Sequence, residues 1–264
     1  MSDQPPRMVN PVQFRIFSRT DVGKRRQRNE DSLGVIARYG VFLVADGMGG
    51  VDGGDFSSQQ VVEQMSRTFR ERNGQELEFS EVVDLAEQSI VEASSIIKKE
   101  AEVRGISGMG TTVVVICFDM KDMSRACVLH VGDSRLYRYR NRQLDALTED
   151  HSLAAESGIK DTAMIPMFMA GVITRAVGVR DDVMVDRADV DVKAGDLFLL
   201  CSDGLYNMVP DAIMGDILSF NSVDPAADLV NKANQAGGFD NITVIIVEPK
   251  AGNGSASELD DTVM

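Results

Sequence analysis

Tryptophan is absent from this chain and tyrosine occurs only four times, which leaves little from which to build an aromatic stacking platform. Basic residues are also in short supply, with 27 Lys and Arg against 41 Asp and Glu and a formal charge of -14. That sign opposes neutralising phosphates along a nucleic acid, so DNA and RNA are not expected partners; a protein or a small molecule fits better. Cys117, Cys127 and Cys201 are odd in number, show no CxxC spacing and lie in or beside apolar runs. They read as small buried hydrophobes in a reducing compartment rather than as a disulfide framework. The start MSDQPPR lacks the apolar core of a signal peptide, and the longest apolar runs, TVVVICF and ITVIIV, are strand-sized rather than membrane-spanning. A cytoplasmic protein with no membrane partner is expected.

What is present is an ordinary globular composition: 264 residues, 44% hydrophobic and 26% charged, enough for a substantial core. FRIFS, LGVIARY and VFLVA, near 14–18, 33–39 and 41–45, are rich in β-branched or aromatic residues and predict strands, with a hairpin break at Tyr39 and Gly40. From Asp55 the period changes. Val61 or Val62, Met65 and Phe69 recur at helical spacing before a stop at Asn73 and Gly74. A second helix, with Ser80 as N-cap, carries Val82, Ala86, Ser89 or Ile90, Ala93 and Ile97 on one face. Strands follow at TTVVVICF, RACVLHV, SRLYRYR, near 183–192 and at DLFLLCS, then helices near 211–220 and 226–236 and a closing strand, NITVIIV. Strand runs broken by paired helices favour an α+β fold of antiparallel sheets with helices outside over a doubly wound parallel sheet. No linker divides the middle and no repeat is evident, so a single domain over 13–249 is expected, with flexible ends at 1–12 and 250–264.

Four strand ends carry an aspartate: Asp46 in VADGMGG, Asp133 in VLHVGDS, Asp203 in FLLCSDG and Asp240 in GGFDNITVIIV. One such residue is explained by turn chemistry alone. The set is not, because each adjoins a strongly apolar run that holds its carboxylate partly out of water. Clustered carboxylates repel one another unless a cation sits among them, and oxygen ligands without a His or Cys pair point to Mg²⁺ or Mn²⁺ rather than Zn²⁺. The glycines after Asp46 allow the Gly47 carbonyl to approach a metal closely, or simply make a tight turn. Upstream, Lys24, Arg25, Arg26 and Arg28 directly precede Glu30 and Asp31. Such a charge run is a solvated face in most proteins, but an arginine beside a metal site offers a planar fork suited to phosphate.

Taken in order, RRQRNEDS, VADGMGG, SGMGTTVVV, VGDSRLYRYR, TEDHS, ITRAVG, LLCSDGL and DNITVIIV resemble the motifs of the PPM or PP2C-type metal-dependent protein serine/threonine phosphatases in their bacterial form, from about Phe14 to Val247. The resemblance implies a four-layer αββα fold, a central sandwich of two antiparallel sheets flanked by helices, with a two-metal centre at one end. It implies that Asp46 bridges both metals, that the Gly47 carbonyl binds one, that Asp203 and Asp240 hold the other, and that Asp133 with Asp203 forms a third, weaker site. It further implies that Glu30 and Asp31 orient metal-bound waters and that Asn241 and Thr111 support the site. Arg26 is the implied phosphate-binding arginine, with Arg25 and Arg28 as alternatives. The implied catalytic set is therefore Arg26, Asp46, Asp203 and Asp240, hydrolysing phosphoserine and phosphothreonine by direct attack of a hydroxide shared by two Mn²⁺ or Mg²⁺ ions. The implied partners are phosphorylated proteins, substrates of a serine/threonine kinase.

The chain also departs from that pattern. Met48 stands where animal members carry a histidine, and it cannot donate a proton. His130 and His151 are the only histidines; both read as structural, with His151 the better candidate for another role. The segment 151–172 aligns with a flap over the site and contains MIPMFM, which reads as core or as an adaptable surface for substrate proteins. VDGGDFSS replaces a more usual continuation after the glycines, leaving the start of the first helix open. An alternative reading is a catalytically inactive relative that binds partners through the same fold; it predicts loss of metal ligands, and Asp46, Asp133, Asp203 and Asp240 are all present. A hydrolase of small phosphate esters ranks lower, since neither GxxxxGK[ST] nor GxGxxG occurs. DxDxT is absent too, and no cysteine is followed six positions later by arginine, so no covalent nucleophile is indicated.

Overall fold

The computed structural model describes residues 13–50, 53–158, 166, 169, 171–219, 222–250 and 262–263. Among these, runs of valine, isoleucine and leucine form two stacked antiparallel sheets. The first is five-stranded, in the order β1 (Gln13–Asp21), β11 (Ile242–Lys250), β10 (Leu197–Cys201), β7 (Arg135–Arg140), β8 (Gln143–Ala146). The second is seven-stranded: β12 (Thr262–Val263), β2 (Asp31–Ile36), β3 (Val41–Met48), β5 (Val113–Phe118), β6 (Arg125–Val131) and β9 (Asp186–Asp191) in order, with β4 (Gly110–Thr111) pairing β3 off that path. Helices α1 (Gly54–Arg70) and α2 (Phe79–Arg104) cover the second sheet, and α4 (Asp203–Tyr206), α5 (Asp211–Ser219) and α6 (Pro225–Gln235) cover the first. A short α3 (Leu153–Glu156) follows the β7–β8 hairpin.

The period of two along each strand separates three cores. On β3, Val41, Leu43 and Ala45 face α1 and α2, whereas Phe42 and Val44 face the other sheet. On β10 and β11, Phe198, Leu200, Ile245 and Val247 enter the same inter-sheet layer, while Leu199, Cys201, Val244 and Ile246 face α4 to α6. This is the expected αββα arrangement. Each wholly buried Val, Leu or Phe stabilises it by about 1.5–3 kcal/mol. Cys117, Cys127 and Cys201 are free and buried, filling space between sheet and helices.

The helices follow the expected faces but not every expected boundary. Val61, Val62, Met65 and Phe69 are all buried on α1, which ends at Arg70, ahead of the Asn73–Gly74 stop. The N-cap of α2 is Glu78 rather than Ser80: its side chain accepts from the third helical N–H while the Glu81 carboxylate accepts from the Glu78 N–H at 2.7 Å. The helix also runs past Ile97 through a charged stretch of good helix formers to a left-handed Gly105. Between β2 and β3 the hairpin break is a 3-10 turn, Ala37–Tyr39, closed by Gly40. Asp224 caps α6 by accepting from the Ala227 N–H at 3.0 Å. Residues 1–12 and 251–261, parts of the expected flexible ends, lie outside the described residues. Thr262 and Val263 pair antiparallel with Val35 and Gly34 at the sheet edge. Val51 and Asp52 of VDGGDFSS and most of MIPMFM also lie outside the described residues.

Strand register decides where the chemistry sits. Asp31 at the start of β2 faces Asp46 near the end of β3, and Cys201 at the end of β10 faces Arg135 at the start of β7. Ile242 opens β11 opposite Asp21, the last residue of β1. All these ends share one edge of the sandwich.

Candidate active site

At that edge β3 delivers Asp46 and Gly47, the β6–β7 turn delivers Asp133, α4 begins with Asp203 two residues past the end of β10, and Asp240 stands two residues before the start of β11. Loops from β1 to β2 bring Arg26, Glu30 and, at the strand start, Asp31. The two sheets are tied together here by the Ser202 hydroxyl donating to Asp31 Oδ2 at 2.7 Å and by the Thr112–Ser134 hydroxyl pair at 2.7 Å. The carboxyls implied by the motifs thus lie along this one edge.

The electrostatics of that cluster are strained. Burial first, then repulsion from Asp203 and Asp240, pushes Asp31 up to about 7 against the lowering hydrogen bonds from Ser202 and Thr243. Asp133 also rises to about 7, through burial and then Asp203 and Asp150, and Asp203 rises to about 6, through burial and then Asp240. Asp46 is driven well above the usual carboxylate range by burial and then by Asp31, Asp203, Asp133 and Asp240 together. Burial also raises Glu30, with Arg26 opposing. Burial is the first cause in every case and neighbouring carboxyls add to it, and Asp31 Oδ1 is buried without a hydrogen-bond partner.

Glycine makes the backbone approach feasible. A Cβ on Gly47 would lie 2.1 Å from the Gly54 carbonyl oxygen and 2.5 Å from that of Glu30, so the start of α1 packs directly on this residue. A Cβ on Gly204 would lie 1.9 Å from the Asn241 carbonyl oxygen, which presses α4 against the Asp240–Asn241 corner. An oxygen-only donor set, an orphaned buried carboxylate oxygen and a cradle closed to any side chain fit hard divalent cations.

The supporting residues act through the backbone. Asn241 accepts from the Glu30 N–H at 2.8 Å and donates to the Val22 and Arg28 carbonyls at 3.0 and 2.9 Å, fixing the β1–β2 loop against β11. The Thr111 hydroxyl donates to the Asp46 carbonyl at 2.8 Å, and the Gly47 N–H donates to the Glu30 carbonyl at 3.1 Å. Arg26 Nη2 donates to Asp240 Oδ2 at 2.8 Å, with Glu30 3.8 Å away, and the guanidinium remains 48% exposed. Its cleft, about 310 Å³, is lined by Arg26, Gln27, Arg28, Glu30 and Gly50. A larger concavity, about 520 Å³ between the β7–β8 hairpin and α5, contains none of these groups.

The two histidines stand apart from the carboxyls. Their rings stack at 4.5 Å, and burial followed by His151 pushes His130 down to about 4. His151 Nδ1 accepts from the Gly132 N–H at 3.1 Å, so its ring proton resides on Nε2, which faces Asp186 at 3.1 Å. This pins the base of the 151–172 segment to the turn that carries Asp133.

A family model described as Protein phosphatase 2C matches residues 22–236. The chain belongs to the protein phosphatase 2C family. Serine/threonine phosphatase stp of Listeria welshimeri is 39% identical over 242 residues, covering 87% of this chain and 94% of the relative. Protein phosphatase PhpP of Streptococcus pneumoniae is 32% identical over 238 residues, covering 86% and 94%. Among solved structures, PppA of Pseudomonas aeruginosa superposes with a TM-score of 0.80 at 35% identity, over 91% of this chain and 100% of that one. The catalytic domain of the serine/threonine protein phosphatase PstP, solved with two manganese ions, gives 0.75 at 30% identity, over 90% and 99%.

Several contacts at this edge fall on residues that the motifs do not single out. Ser202 serves Asp31 and also accepts from the Thr243 N–H at 3.0 Å. Asn207 Nδ2 donates to Asp203 Oδ2 at 3.1 Å from one helical turn on, a spacing that was readable once α4 was recognised. The Tyr206 hydroxyl donates to the Asp133 carbonyl at 3.0 Å, while Arg135 stacks on its ring at 3.6 Å and forks onto Asp150 at 2.8 and 2.7 Å. Nothing in local sequence announces that bridge.

Proposed function

We propose that this PP2C-family chain removes phosphate from phosphoserine and phosphothreonine in proteins phosphorylated by a serine/threonine kinase, in the cytoplasm, with two Mn²⁺ or Mg²⁺ ions. The observation that carries the reading is the convergence on one edge of Asp31 and Asp46 from the seven-stranded sheet, Asp133 from the β6–β7 turn, and Asp203 and Asp240 beside β10 and β11 of the five-stranded sheet; burial and then neighbouring carboxyls disfavour the ionised forms of Asp31, Asp46, Asp133 and Asp203, and Asp240 accepts from Arg26. Asp46, Asp203, Asp240 and the Gly47 carbonyl would hold the two ions, and Asp133 with Asp203 a third. When bound, such ions lower the pKa of water and offset the charge of a transferring phosphoryl group.

The chain's own residues supply the rest. Arg26 presents its fork to the cleft, where a phosphate accepts in bidentate geometry, and Asp240 and Glu30 set the orientation of that fork. Glu30 and Asp31 offer carboxylate oxygens to water, and Thr111 and Asn241 hold the backbone on which Asp46 and Glu30 ride. No cysteine nucleophile competes, because burial drives Cys117 and Cys201 far above the thiolate range.

The test is hydrolysis of a phosphothreonine peptide by chelated protein. Mn²⁺ is expected to restore it, and Asp203→Asn to abolish it while leaving the folded signal by circular dichroism intact. Full activity in EDTA overturns the two-ion account. Folded, metal-loaded protein that never turns over points instead to the inactive binding module.

A further inference from the structure

Phe239 is 55% exposed and is the only aromatic among the exposed large hydrophobic side chains of the described residues. It immediately precedes Asp240, and the Arg25 guanidinium lies 5.6 Å above its ring centroid. Arg25 in turn immediately precedes Arg26. The two loops therefore present successive rungs: Arg26 on Asp240 at 2.8 Å inside the cleft, and Arg25 on Phe239 just outside it. Two hydrogen bonds keep this lip in place: the Lys24 N–H donates to the Gly238 carbonyl at 2.7 Å, and the Asn241 side-chain amide donates to the Val22 carbonyl at 3.0 Å. Behind it, Asn234 Nδ2 and the Gly23 N–H both donate to Asp21 Oδ1, at 3.1 and 2.8 Å.

An arginine stacked on an aromatic face spends the plane of its guanidinium and leaves the N–H edges outward. Those edges suit a carboxylate. The surroundings agree: in a chain of formal charge -14, residues 24–28 read KRRQR, a local reversal of sign. Successive Cα atoms are about 3.8 Å apart, so an extended substrate with its phosphate on Arg26 carries a residue one or two positions away over Phe239.

Building on the phosphatase reading, we propose that the Arg25–Phe239 shelf is a specificity subsite that takes an acidic side chain flanking the phosphorylated residue. Phe239 forms the apolar floor and holds Arg25 in the orientation that meets the carboxylate. Neither residue touches the reacting phosphoryl group.

The test uses the full chain loaded with Mn²⁺, three phosphothreonine peptides that differ only in Asp, Ala or Lys beside the phosphorylated residue, and p-nitrophenyl phosphate as a substrate without flanks. The wild type is expected to prefer the Asp peptide over the Ala peptide by roughly 5- to 20-fold in kcat/KM, carried by KM, as a charge-assisted hydrogen bond at a half-exposed site allows. Phe239→Ala and Arg25→Ala should each bring that ratio within about twofold while p-nitrophenyl phosphate hydrolysis stays within about twofold. Loss of p-nitrophenyl phosphate hydrolysis in step with the peptides would mark the stack as a mere brace and overturn the subsite. So would indifference of the wild type to flanking charge, or an acidic preference that survives both variants. A wild type that hydrolyses no phosphopeptide overturns the phosphatase reading along with it, which keeps the two failures apart.

Discussion

Replacing Asp31 by asparagine is expected to stabilise the metal-free protein above neutral pH. In the fold this carboxyl ionises near 7 rather than at its ordinary 3.8, because it is buried and faces Asp203 and Asp240. A raised carboxyl favours the folded state below its unfolded pKa and loses that contribution as pH climbs through the folded value. Between pH 5 and pH 8 the ionisation of Asp31 therefore costs folding roughly 2–4 kcal/mol, the upper figure applying if its neighbours do not relax. Asparagine keeps the shape and an oxygen for the Ser202 hydroxyl, now 2.7 Å from Asp31 Oδ2, but never ionises. In EDTA at pH 8 the variant should melt roughly 5–10 °C above wild type, and at pH 5 the difference should shrink to a few degrees. Saturating Mn²⁺ should erase or invert the advantage, since a cation offsets the repulsion that the asparagine removes. Thermal unfolding followed by circular dichroism at pH 5, 6, 7 and 8, with and without Mn²⁺, measures all of this. A metal-free wild type whose melting temperature does not fall from pH 5 to pH 8, or an asparagine effect independent of pH, would refute the argument from crowded carboxyls.

Other perturbations act on packing and on the substrate. Gly47→Ala places a methyl against the backbone oxygens of Gly54 and Glu30, which cannot swing aside, and should destabilise by about 2–4 kcal/mol in urea unfolding; a loss under 0.5 kcal/mol would show that α1 can shift. Asn241→Ala removes three hydrogen bonds that anchor the β1–β2 loop and is expected to cost about 2–3 kcal/mol of stability and more than tenfold in kcat/KM, read by the same melts and by phosphopeptide kinetics. Arg26→Ala should lower kcat/KM for a phosphopeptide by about 10- to 100-fold with a melting temperature near wild type, since the guanidinium is about half exposed and its ion pairs contribute little to folding.

The layers of the fold were legible in the sequence because period-two and period-3.6 patterns are local: Val41 to Ala45 and Val61 to Phe69 declare their faces within a few residues. Boundaries were less so. Local sequence favours Ser80 as the cap because serine is the commoner signal, whereas the reciprocal pairing of Glu78 with Glu81 satisfies two N–H groups at once. The aspartates stood out as a set, since each interrupts an apolar run. What local sequence could not supply was partnership across long separations: Ser202 with Asp31, Tyr206 with the Asp133 turn, and Arg25 with Phe239 join segments that only the stacking of the two sheets brings together. The tautomer of His151 likewise follows from one N–H, that of Gly132, supplied by a different strand end.

The placement of the acidic cluster at the seam of the sandwich carries a mechanical consequence. Asp46 lies on one sheet, whereas Asp203 and Asp240 adjoin strands of the other, so an ion held by all three would work as a rivet through both halves. Splaying the layers at that edge and releasing such an ion would then be a single event, and amides at the starts of β2 and β11 should slow their hydrogen exchange together when Mn²⁺ is added.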